Sequence, residues 1–409
     1  MKISKISIKN YRSCIDTTFS PDEHLSVLIG PNGSGKTNVL SALRLLPALC
    51  SPRHSKSDEP ITSPCELRVV YEIDGTKVLQ VAKLSIVTNE KNQDEITNSD
   101  EYWIVPSITG PRRRFHIPSA FLTDVFQHRA SAKFSSSIAR RHDYFYQYLS
   151  SRGIGTQALP ILEKVVMFVT SVSYYSASQF TNPGSSPISF EVEGEAKRRI
   201  GISITGHKKL LFDIYQEHRN KSDIFNEFIG LVGPEGIGLV ESMDFDEIAT
   251  SSSNYSVMTG GKVVKREKTN LLVVPSFKIA GNKLSPSQLS EGTFKTLALI
   301  FYLVTDKSSL LMIEEPEVCV HHGLLSSIVE LIKIYSKDKQ ILISTHSDSV
   351  LDKVTIDNVF KVRRTKEHGS EVSSIRKNMG AKELKALKEY LSNEGSLGEY
   401  WKHGDLENI

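Results

Sequence analysis

Apolar and polar residues follow the periods of strands and of helices in separate stretches of the chain. ISKISIKNYRS and HLSVLIG predict strands, and KTNVLSALRLLPAL, with apolar residues at helical spacing, predicts a helix. ELRVVYEIDGTKVLQVAKLSIV predicts a β-hairpin that turns at Asp74 and Gly75. The polar TNEKNQDEITNSD that follows predicts a solvated loop.

The middle of the chain has a weaker pattern. There QALPILEKVVMFVTSV and KKLLFDIYQEHR predict amphipathic helices, and ATSSSNYSVMTGGKVVKREKTN predicts a loop and a hairpin. The sequence has no sustained heptad repeat, so we do not expect a coiled-coil arm. From Leu271 the pattern predicts strand, loop, long helix, strand, helix and strand, and KELKALKEYLSNEGSLGEYW predicts one or two helices. We therefore expect an N-terminal part of an α/β head (1–117), a mostly helical insertion with a terminal hairpin (118–270), a C-terminal part of the head (271–365) and a helical tail (366–409).

Composition narrows the class of protein only slightly. Hydrophobic residues make up 39% of the chain and charged residues 24%, which is typical of a globular protein. The net charge of +3 argues neither for nor against nucleic acid. The four cysteines, which are Cys14, Cys50, Cys65 and Cys319, have no metal spacing and suit a reducing cytosol. With no apolar run near about 18 residues and no signal peptide, we expect a cytoplasmic location without membrane contact.

The segment GPNGSGKT has the form G-x-x-x-x-G-K-T between a predicted strand and a predicted helix. Its glycines let backbone N–H groups surround phosphate oxygens, and the helix N-terminus adds partial positive charge. We expect Lys36 to reach the β- and γ-phosphates of ATP and the Thr37 hydroxyl to bind Mg²⁺. The expected nucleotide-binding residues of the loop are Gly30, Pro31, Asn32, Gly33, Ser34, Gly35, Lys36 and Thr37.

The segment LLMIEEPE predicts a buried parallel strand that ends in two carboxylates. Ligands of open α/β sheets bind at this edge, where the strands end. We expect Glu314 to act on Mg²⁺ through water and Glu315 to polarise the attacking water. Taken alone, the motif also fits a strand whose terminal acid merely caps the next helix.

Two further motifs accompany the double carboxylate. LSEGT opens a helix with Ser290 as its N-cap, and the free N–H groups there form a second anion site. QILISTHSDSV predicts a strand followed by His346, which can touch a γ-phosphate. The alternatives are an ordinary capped helix and a structural histidine.

The four motifs occur in the order lysine loop, Ser-Glu-Gly helix, double carboxylate and histidine, and in this order the chain resembles the ABC-type ATPases. ISIKNYRSC is similar to the opening of RecF-like and structural-maintenance-of-chromosomes-like ATPases. LSEGTFKTLAL and IEEPEVCVHH are similar to OLD-like soluble ATPases. The resemblance covers residues 1–48 and 270–365, and it implies a P-loop NTPase head of ABC type with a mixed sheet and flanking helices.

In such proteins the phosphate loop of one subunit faces the signature helix of another, so that a homodimer buries two ATP molecules. The resemblance implies roles in one subunit for Lys36, Thr37, Glu314, Glu315 and His346, and roles across the dimer for Ser290 and Gly292. It also implies that Arg12 lies near the nucleotide. The chain departs from the pattern twice, because Glu314 stands where many ABC proteins have Asp and no glutamine loop is identifiable.

Three function classes remain after a transporter ATPase is set aside. The 254 residues between Lys36 and Ser290 are far more than transporters have there, and no membrane segment is present. The resemblance favours an ATPase that controls a partner effector, a nuclease or toxin encoded nearby, in antiphage defence or a toxin–antitoxin-like system. The alternatives are a RecF-like DNA clamp and an assembly scaffold for which ATP is a structural cofactor.

OLD-like proteins with their own nuclease carry a C-terminal acidic, metal-dependent domain. Here 63 residues follow His346 without an acid cluster at metal spacing, so we do not expect the chain to cut nucleic acid by itself. Basic clusters at Arg112–Arg114, Lys197–Arg199 and Lys262–Lys268 are candidate phosphate contacts, with a solvated surface or a charged partner interface as the alternative. The tyrosines Tyr144, Tyr146 and Tyr148 predict a half-buried packing face.

Overall fold

The protein is described from a computed structural model. The structure describes residues 1–49, 55–56, 64–88, 94–110, 112–117, 119, 122, 147, 150–151, 158–193, 206–257, 263–318, 320, 322–393 and 395–402. The basic cluster Lys197–Arg199, Lys262 and the tyrosines Tyr144, Tyr146 and Tyr148 lie outside these ranges.

The strands are β1 (Lys2–Tyr11), β2 (Cys14–Phe19), β3 (Leu25–Ile29), β4 (Ser55–Lys56), β5 (Cys65–Ile73), β6 (Thr76–Thr88), β7 (Asp94–Ile104), β8 (Val172–Ser176), β9 (Phe190–Glu193), β10 (Ser242–Val257), β11 (Val263–Ile279), β12 (Asn282–Leu284), β13 (Leu310–Glu314), β14 (Gln340–Thr345), β15 (Val359–Thr365) and β16 (Gly369–Ser374). The helices are α1 (Lys36–Leu43), α2 (Leu45–Leu49), α3 (Pro106–Thr109), α4 (Leu159–Thr170), α5 (Gly206–Arg219), α6 (Asp223–Val232), α7 (Glu291–Thr305), α8 (His322–Tyr335), α9 (Asp348–Leu351), α10 (Ile375–Asn378), α11 (Ala381–Asn393) and α12 (Leu397–Lys402).

The chain divides into two compact units. The first unit comprises Met1–Tyr175, Asp306–Pro316 and Val329–Ile409, and the second comprises Ser176–Thr305 and Glu317–Ile328. These limits differ from the sequence-based boundaries at 118, 271 and 366. In particular, helix α7, which follows the LSEGT motif, belongs to the second unit.

The first unit is built on a 12-stranded mixed sheet in the order β4-β7-β6-β5-β1-β2-β16-β15-β3-β14-β13-β8. Strand β3 is parallel to both of its neighbours, β14 and β15, and β13 is parallel to β14. On the other side of the sheet, β4, β7, β6, β5, β1 and β2 pair antiparallel with one another. Strand β3 leads through the glycine-rich loop into α1, so the unit has the α/β P-loop fold with a large mixed sheet and flanking helices.

Burial in the core of the first unit explains why the sequences of its parallel strands are nearly continuous apolar runs. Strands β3 and β14 are buried at every position, as expected for parallel strands covered on both faces. Helix α1 buries Val39, Leu40 and Leu43 at helical spacing, and α4 adds Leu162 and Phe168 to the same core.

The second unit contains more strand than the sequence predicts. Strands β10 and β11 pair in unbroken register from Ser242 with Lys278 to Val257 with Val263, and β9 and β12 also pair with β11. Helices α5, α6 and α7 belong to the same unit, and the Phe228 and Phe301 rings of α6 and α7 pack edge to face at 5.3 Å. The hairpin expected at the end of the insertion is therefore present, but it is longer than predicted, because Ser242–Val257 is strand throughout where part of this sequence predicts a loop.

Several local predictions have clear outcomes. The hairpin at Asp74 and Gly75, the helices at Leu159–Thr170 and Gly206–Arg219, and the two terminal helices α11 and α12 are confirmed. The solvated loop is wrong from Asp94 onward, where β7 pairs with β6. The tail from residue 366 is also not purely helical, since β16 joins the main sheet. Among the described residues, no helix combines the length and apolar character needed to cross a membrane.

Candidate nucleotide site

The glycine-rich loop closes around its own lysine. Gly33 and Gly35 have φ angles of +78° and +103°, which residues with a side chain rarely adopt. The Lys36 ammonium donates to the carbonyl oxygens of Gly30 at 2.8 Å and Pro31 at 3.2 Å. The loop thus holds a cationic group against its backbone directly at the N-terminus of α1.

Strands β15 and β16 support the loop from the side. A Cβ atom on Gly30 would overlap the Val362 carbonyl oxygen, and one on Gly35 would overlap the Ser370 hydroxyl. The Ser370 hydroxyl donates to the Ser34 carbonyl at 2.7 Å and is fully buried. These close approaches give Gly30 a packing reason and give Gly35 one in addition to its positive φ angle, and they make Ser370 a support that the sequence did not reveal.

The two carboxylates at the end of β13 have different surroundings. The Tyr174 hydroxyl donates to Glu314 Oε2, and the Arg44 guanidinium lies 4.4 Å from the centre of the Tyr174 ring. Glu315 has a φ angle of +47°, and its backbone N–H donates to the Ser344 carbonyl at 2.8 Å. The turn in the backbone at Glu315 directs the two neighbouring side chains to separate partners, and positive φ values in non-glycine residues are often found at functional sites.

His346 connects the loop to the second carboxylate. Its Nδ1 lies 3.3 Å from Lys36 Nζ, and its Nε2 lies 3.3 Å from Glu315 Oε1. The three side chains come from the ends of β3, β13 and β14, which are adjacent in the sheet. The parallel strands therefore bring together residues that are separated by about 30 to 310 positions in the sequence.

These groups line a cavity of about 330 Å³. Its lining residues are Ser13, Asn32, Gly33, Gly35, Lys36, Thr37, Asn38, Glu315, His346 and Arg364. Seven of the ten were expected from the motifs, whereas Ser13, Asn38 and Arg364 were not. The Asn38 side chain donates to Ser13 Oγ at 2.6 Å, which links the start of α1 to the turn between β1 and β2.

The other expected residues do not line this cavity. Arg12 has a φ angle of +51° and donates to Asn38 Oδ1 at 3.4 Å, so it is one residue removed from the lining. Ser290 and Gly292 are in the second unit. There the Ser290 hydroxyl accepts from the Thr293 backbone N–H at 3.1 Å, which is the N-cap geometry predicted from the sequence.

The residues present fit Mg²⁺ bound together with phosphates better than a metal held by protein alone. Among the described residues, no group of three or more His, Cys, Asp or Glu side chains could hold a metal ion. Mg²⁺ characteristically takes one or two protein oxygens and completes its shell with water and phosphate oxygens. The Thr37 hydroxyl and the Glu314 carboxylate are a donor set of this kind. The Ser34 hydroxyl, buried beside Gly30 and without a hydrogen-bond partner among the described residues, is a further polar group at the loop.

The basic clusters are only partly described. The side chains of Arg112, Arg113 and Arg114 are exposed, and the Arg114 guanidinium lies 4.6 Å from the centre of the Tyr102 ring. The backbone from Val263 to Lys268 forms part of β11.

Comparison with known proteins identifies a family. A family model described as "AAA ATPase domain" matches residues 1–229, and one described as "AAA domain, putative AbiEii toxin, Type IV TA system" matches residues 238–352. Short segments are similar to the DNA replication and repair protein RecF: 46% identity over 43 residues with that of Prosthecochloris aestuarii and 37% over 82 residues with that of Leptospira biflexa. These segments cover 10% and 19% of this chain and 12% and 22% of the relatives, so the similarity spans less than a quarter of either protein.

Solved structures similar to the chain include two structural-maintenance-of-chromosomes (SMC) heads. The SMC head domain from Thermotoga maritima matches with a TM-score of 0.43 and 13% identity over 91% of this chain and 99% of that chain. An SmcHead bound to the C-winged helix domain of ScpA matches with a TM-score of 0.48 and 16% identity over 95% of this chain and 100% of that chain. The match of the first family model extends over more than half of the 409 residues, and the chain therefore belongs to the family of AAA ATPase domains.

Proposed function

We propose that the chain binds ATP with Mg²⁺ in the cavity around Lys36 and hydrolyses it. The contact of His346 with both Lys36 and Glu315 carries this proposal, because it joins a phosphate-binding cation to a carboxylate and a histidine at one sheet edge. Catalysis of phosphoryl transfer needs positioning and charge stabilisation rather than a covalent intermediate. The residues that line the cavity supply groups that position the phosphates and groups that stabilise charge.

Each side chain has a defined task in this proposal. Lys36 leaves the Gly30 and Pro31 carbonyls and binds the β- and γ-phosphates, while the loop N–H groups bind the neighbouring oxygens. Glu315 accepts a hydrogen bond from the attacking water, and His346 registers the γ-phosphate. Bound Mg²⁺ supplies charge neutralisation, and Thr37 and Glu314 are the residues that hold it, with Tyr174 orienting Glu314.

We further propose that two copies pair around ATP. Support comes from Ser290, which caps α7 and is exposed, so that the helix N-terminus can receive an anion from another molecule. Ser290 and Gly292 would then complete the partner's site, as the resemblance to ABC-type ATPases implies. ATP binding would assemble the heads, and hydrolysis would release them.

The favoured biological role is control of a partner effector in antiphage defence or a toxin–antitoxin-like system. The description of the second matching family model, which names a putative toxin and a Type IV TA system, supports this role. A DNA clamp for replication or repair is the second candidate, supported by the short segments of RecF identity and the exposed Arg112–Arg114. A scaffold with ATP as a structural cofactor is the third.

Light scattering, with Mg-ATP and without nucleotide, tests the pairing. We expect Mg-ATP to double the mass of the wild type transiently and that of Glu315→Gln persistently, since the variant binds ATP but hydrolyses it slowly. Lys36→Ala is expected to keep its starting mass. Glu330→Gln, an exposed carboxylate on α8 paired with Lys333, is the matched control and should behave as the wild type. If Glu315→Gln hydrolysed ATP at the wild-type rate, the role proposed for Glu315 would be wrong.

A separate experiment tests whether the chain controls an effector and does not itself cleave nucleic acid. Purified protein with Mg²⁺ or Mn²⁺ should leave DNA and RNA intact in the presence and absence of ATP. Cleavage that disappears with Glu315→Gln or Lys36→Ala would belong to the chain and would contradict this part of the proposal.

A further inference from the structure

Strand β15 brings two consecutive arginines level with the glycine-rich loop. It runs parallel to β3, with Val359 opposite Val27 and Lys361 opposite Ile29. The residues that follow Lys361 therefore lie beside the residues that follow Ile29, which are those of the loop. Arg363 and Arg364 thus reach the sheet edge at which ligands of parallel sheets bind.

The two arginines have different surroundings. Arg363 Nε donates to Glu371 Oε2 at 2.8 Å on the neighbouring strand β16. Arg364 instead lines the cavity, and its guanidinium makes no hydrogen bond or ion pair with any residue that the structure describes. Successive residues of a strand point to opposite faces, which explains the contrast. Arg364 is therefore a cation that is available to a ligand in the cavity around Lys36.

Arg364 and the expected catalytic groups lie on opposite sides of β3. Strand β14, which precedes His346, and β13, which precedes Glu315, are on one side, and β15 is on the other. Ser13, which also lines the cavity, is in the turn that precedes β2 on that second side, and its hydroxyl contacts that of Ser370, the residue paired with Arg364. Lys36 lies between the two sides. If the γ-phosphate of a nucleotide lies near Glu315 and His346, the rest of the nucleotide therefore extends toward Arg364.

We infer that Arg364 is a nucleotide-binding residue that contacts the part of the nucleotide away from the reacting phosphate, with α-phosphate oxygens as its acceptors. The inference rests on the proposed function, since it presumes a nucleotide at Lys36. A planar guanidinium suits phosphate oxygens because it offers paired N–H donors. The contact is equally available in ADP and ATP and does not change during hydrolysis. It contributes uniform binding, which affects KM and leaves kcat unchanged.

Calorimetric titration of the full chain with Mg-ADP and with a non-hydrolysable Mg-ATP analogue tests the inference. Arg364→Ala should weaken both ligands equally, by about ten-fold, as expected for a charge-assisted hydrogen bond in a partly solvated site. Arg363→Ala, which removes the same charge from the adjacent position, should change both affinities by less than about two-fold, because Arg363 is paired with Glu371 and does not line the cavity. Arg364→Gln, which keeps the β-, γ- and δ-carbons of the side chain and removes the charge, provides a second variant if Arg364→Ala fails to fold, and should weaken both ligands in the same equal proportion.

The outcomes separate the inference from the proposed function. If the wild type binds neither ligand, or if Lys36→Ala binds as well as the wild type, the proposed function fails. If the wild type binds and Lys36→Ala does not, three results overturn the inference alone: unchanged affinity in the Arg364 variants, loss for the ATP analogue only, or equal losses in the Arg363 and Arg364 variants. The last would indicate a long-range charge effect, which added salt should then abolish.

Discussion

Lys36 Nζ and His346 Nδ1 lie 3.3 Å apart, and this contact determines the proton position on the imidazole. An ammonium group has only donors, so Nδ1 must be the acceptor. The proton of the neutral ring is then on Nε2, which faces Glu315 Oε1. The chain of contacts from lysine to carboxylate is thus directional, and in the proposed function a γ-phosphate that attracts Lys36 would change the hydrogen bonding of Glu315 through His346.

Replacing His346 by Ala should therefore affect turnover more than binding. We expect kcat for ATP to fall by about a hundred-fold, within the range of losses for a positioned proton-transfer or hydrogen-bonding group. ADP affinity should stay within about three-fold, because the loop N–H groups and Lys36 remain. Phosphate release and calorimetry measure the two quantities. His116→Ala, an exposed histidine paired with Asp100, is the control, and an equal loss of ADP affinity would assign His346 a binding role.

Tyr174→Phe should raise the Mg²⁺ concentration that half-saturates hydrolysis. The substitution removes the hydroxyl that donates to Glu314 and retains the ring beside Arg44. Loss of a hydrogen bond that orients a metal ligand commonly costs about ten-fold in metal affinity or activity. A Mg²⁺ titration of phosphate release at saturating ATP measures this effect.

The control for Tyr174→Phe is Tyr71→Phe. Tyr71 is fully buried, and its hydroxyl donates to Gln80 Oε1 instead of to a carboxylate at the end of β13. Its variant should lose stability without a change in the Mg²⁺ dependence. A Mg²⁺ dependence of Tyr174→Phe equal to that of the wild type would mean that Glu314 does not depend on this contact.

Ser370→Ala should loosen the glycine-rich loop. It leaves the Ser34 carbonyl without its buried hydroxyl partner and removes one of the two contacts of the Ser13 hydroxyl, and such a loss costs about 1–3 kcal/mol of folding free energy. ADP affinity should fall with it, since the loop is less well held in its binding conformation. Denaturant unfolding and calorimetry measure the two effects. Ser373→Ala, three residues further along β16 and only half-buried, should change neither, and a stable Ser370→Ala with full affinity would contradict the supporting role.

Acid should destabilise the second unit through His207. Burial beside Phe294 and Phe180 lowers the pKa of His207, so the folded protein binds its proton at a lower pH than the unfolded chain does. The unfolded state therefore binds more protons below the ordinary pKa of histidine, about 6.5, and folding stability falls as the pH drops through that value. Denaturant unfolding at pH 8, 7, 6 and 5 should give a smaller decline for His207→Phe than for the wild type. Equal slopes would exclude this contribution.

The sequence predicted the parts of the site whose residues are close together in the chain. Gly30 to Thr37 form one loop, and Glu314 and Glu315 end one strand, so each motif has a local signature that general rules recognise. Ser370 supports Ser34 across 336 positions, and Tyr174 reaches Glu314 across 140 positions. Neither pair has a local pattern, because both depend on which strands become neighbours in the sheet.

The wrong secondary-structure predictions have a similar origin. The residues Asp94–Asp100 are polar and resemble a loop, yet β7 forms there because its backbone pairs with β6. Strand propensity depends strongly on cross-strand neighbours, which the local sequence does not contain. The loop predicted within Ala249–Val257 of β10 is strand for the same reason, since this serine-rich stretch has no apolar alternation yet pairs with β11.

The position of β3 in the sheet also sets the order in which the protein can fold during synthesis. Strand β3 is made early, but both of its partners, β14 and β15, begin only at Gln340 and Val359. Such long-range pairings slow folding and leave apolar strand edges unpaired while the chain emerges from the ribosome. The nascent loop therefore has no rigid base until β15 and β16 have been made. A nascent chain that ends before β16 is expected to need protection from aggregation and to be incapable of stable nucleotide binding.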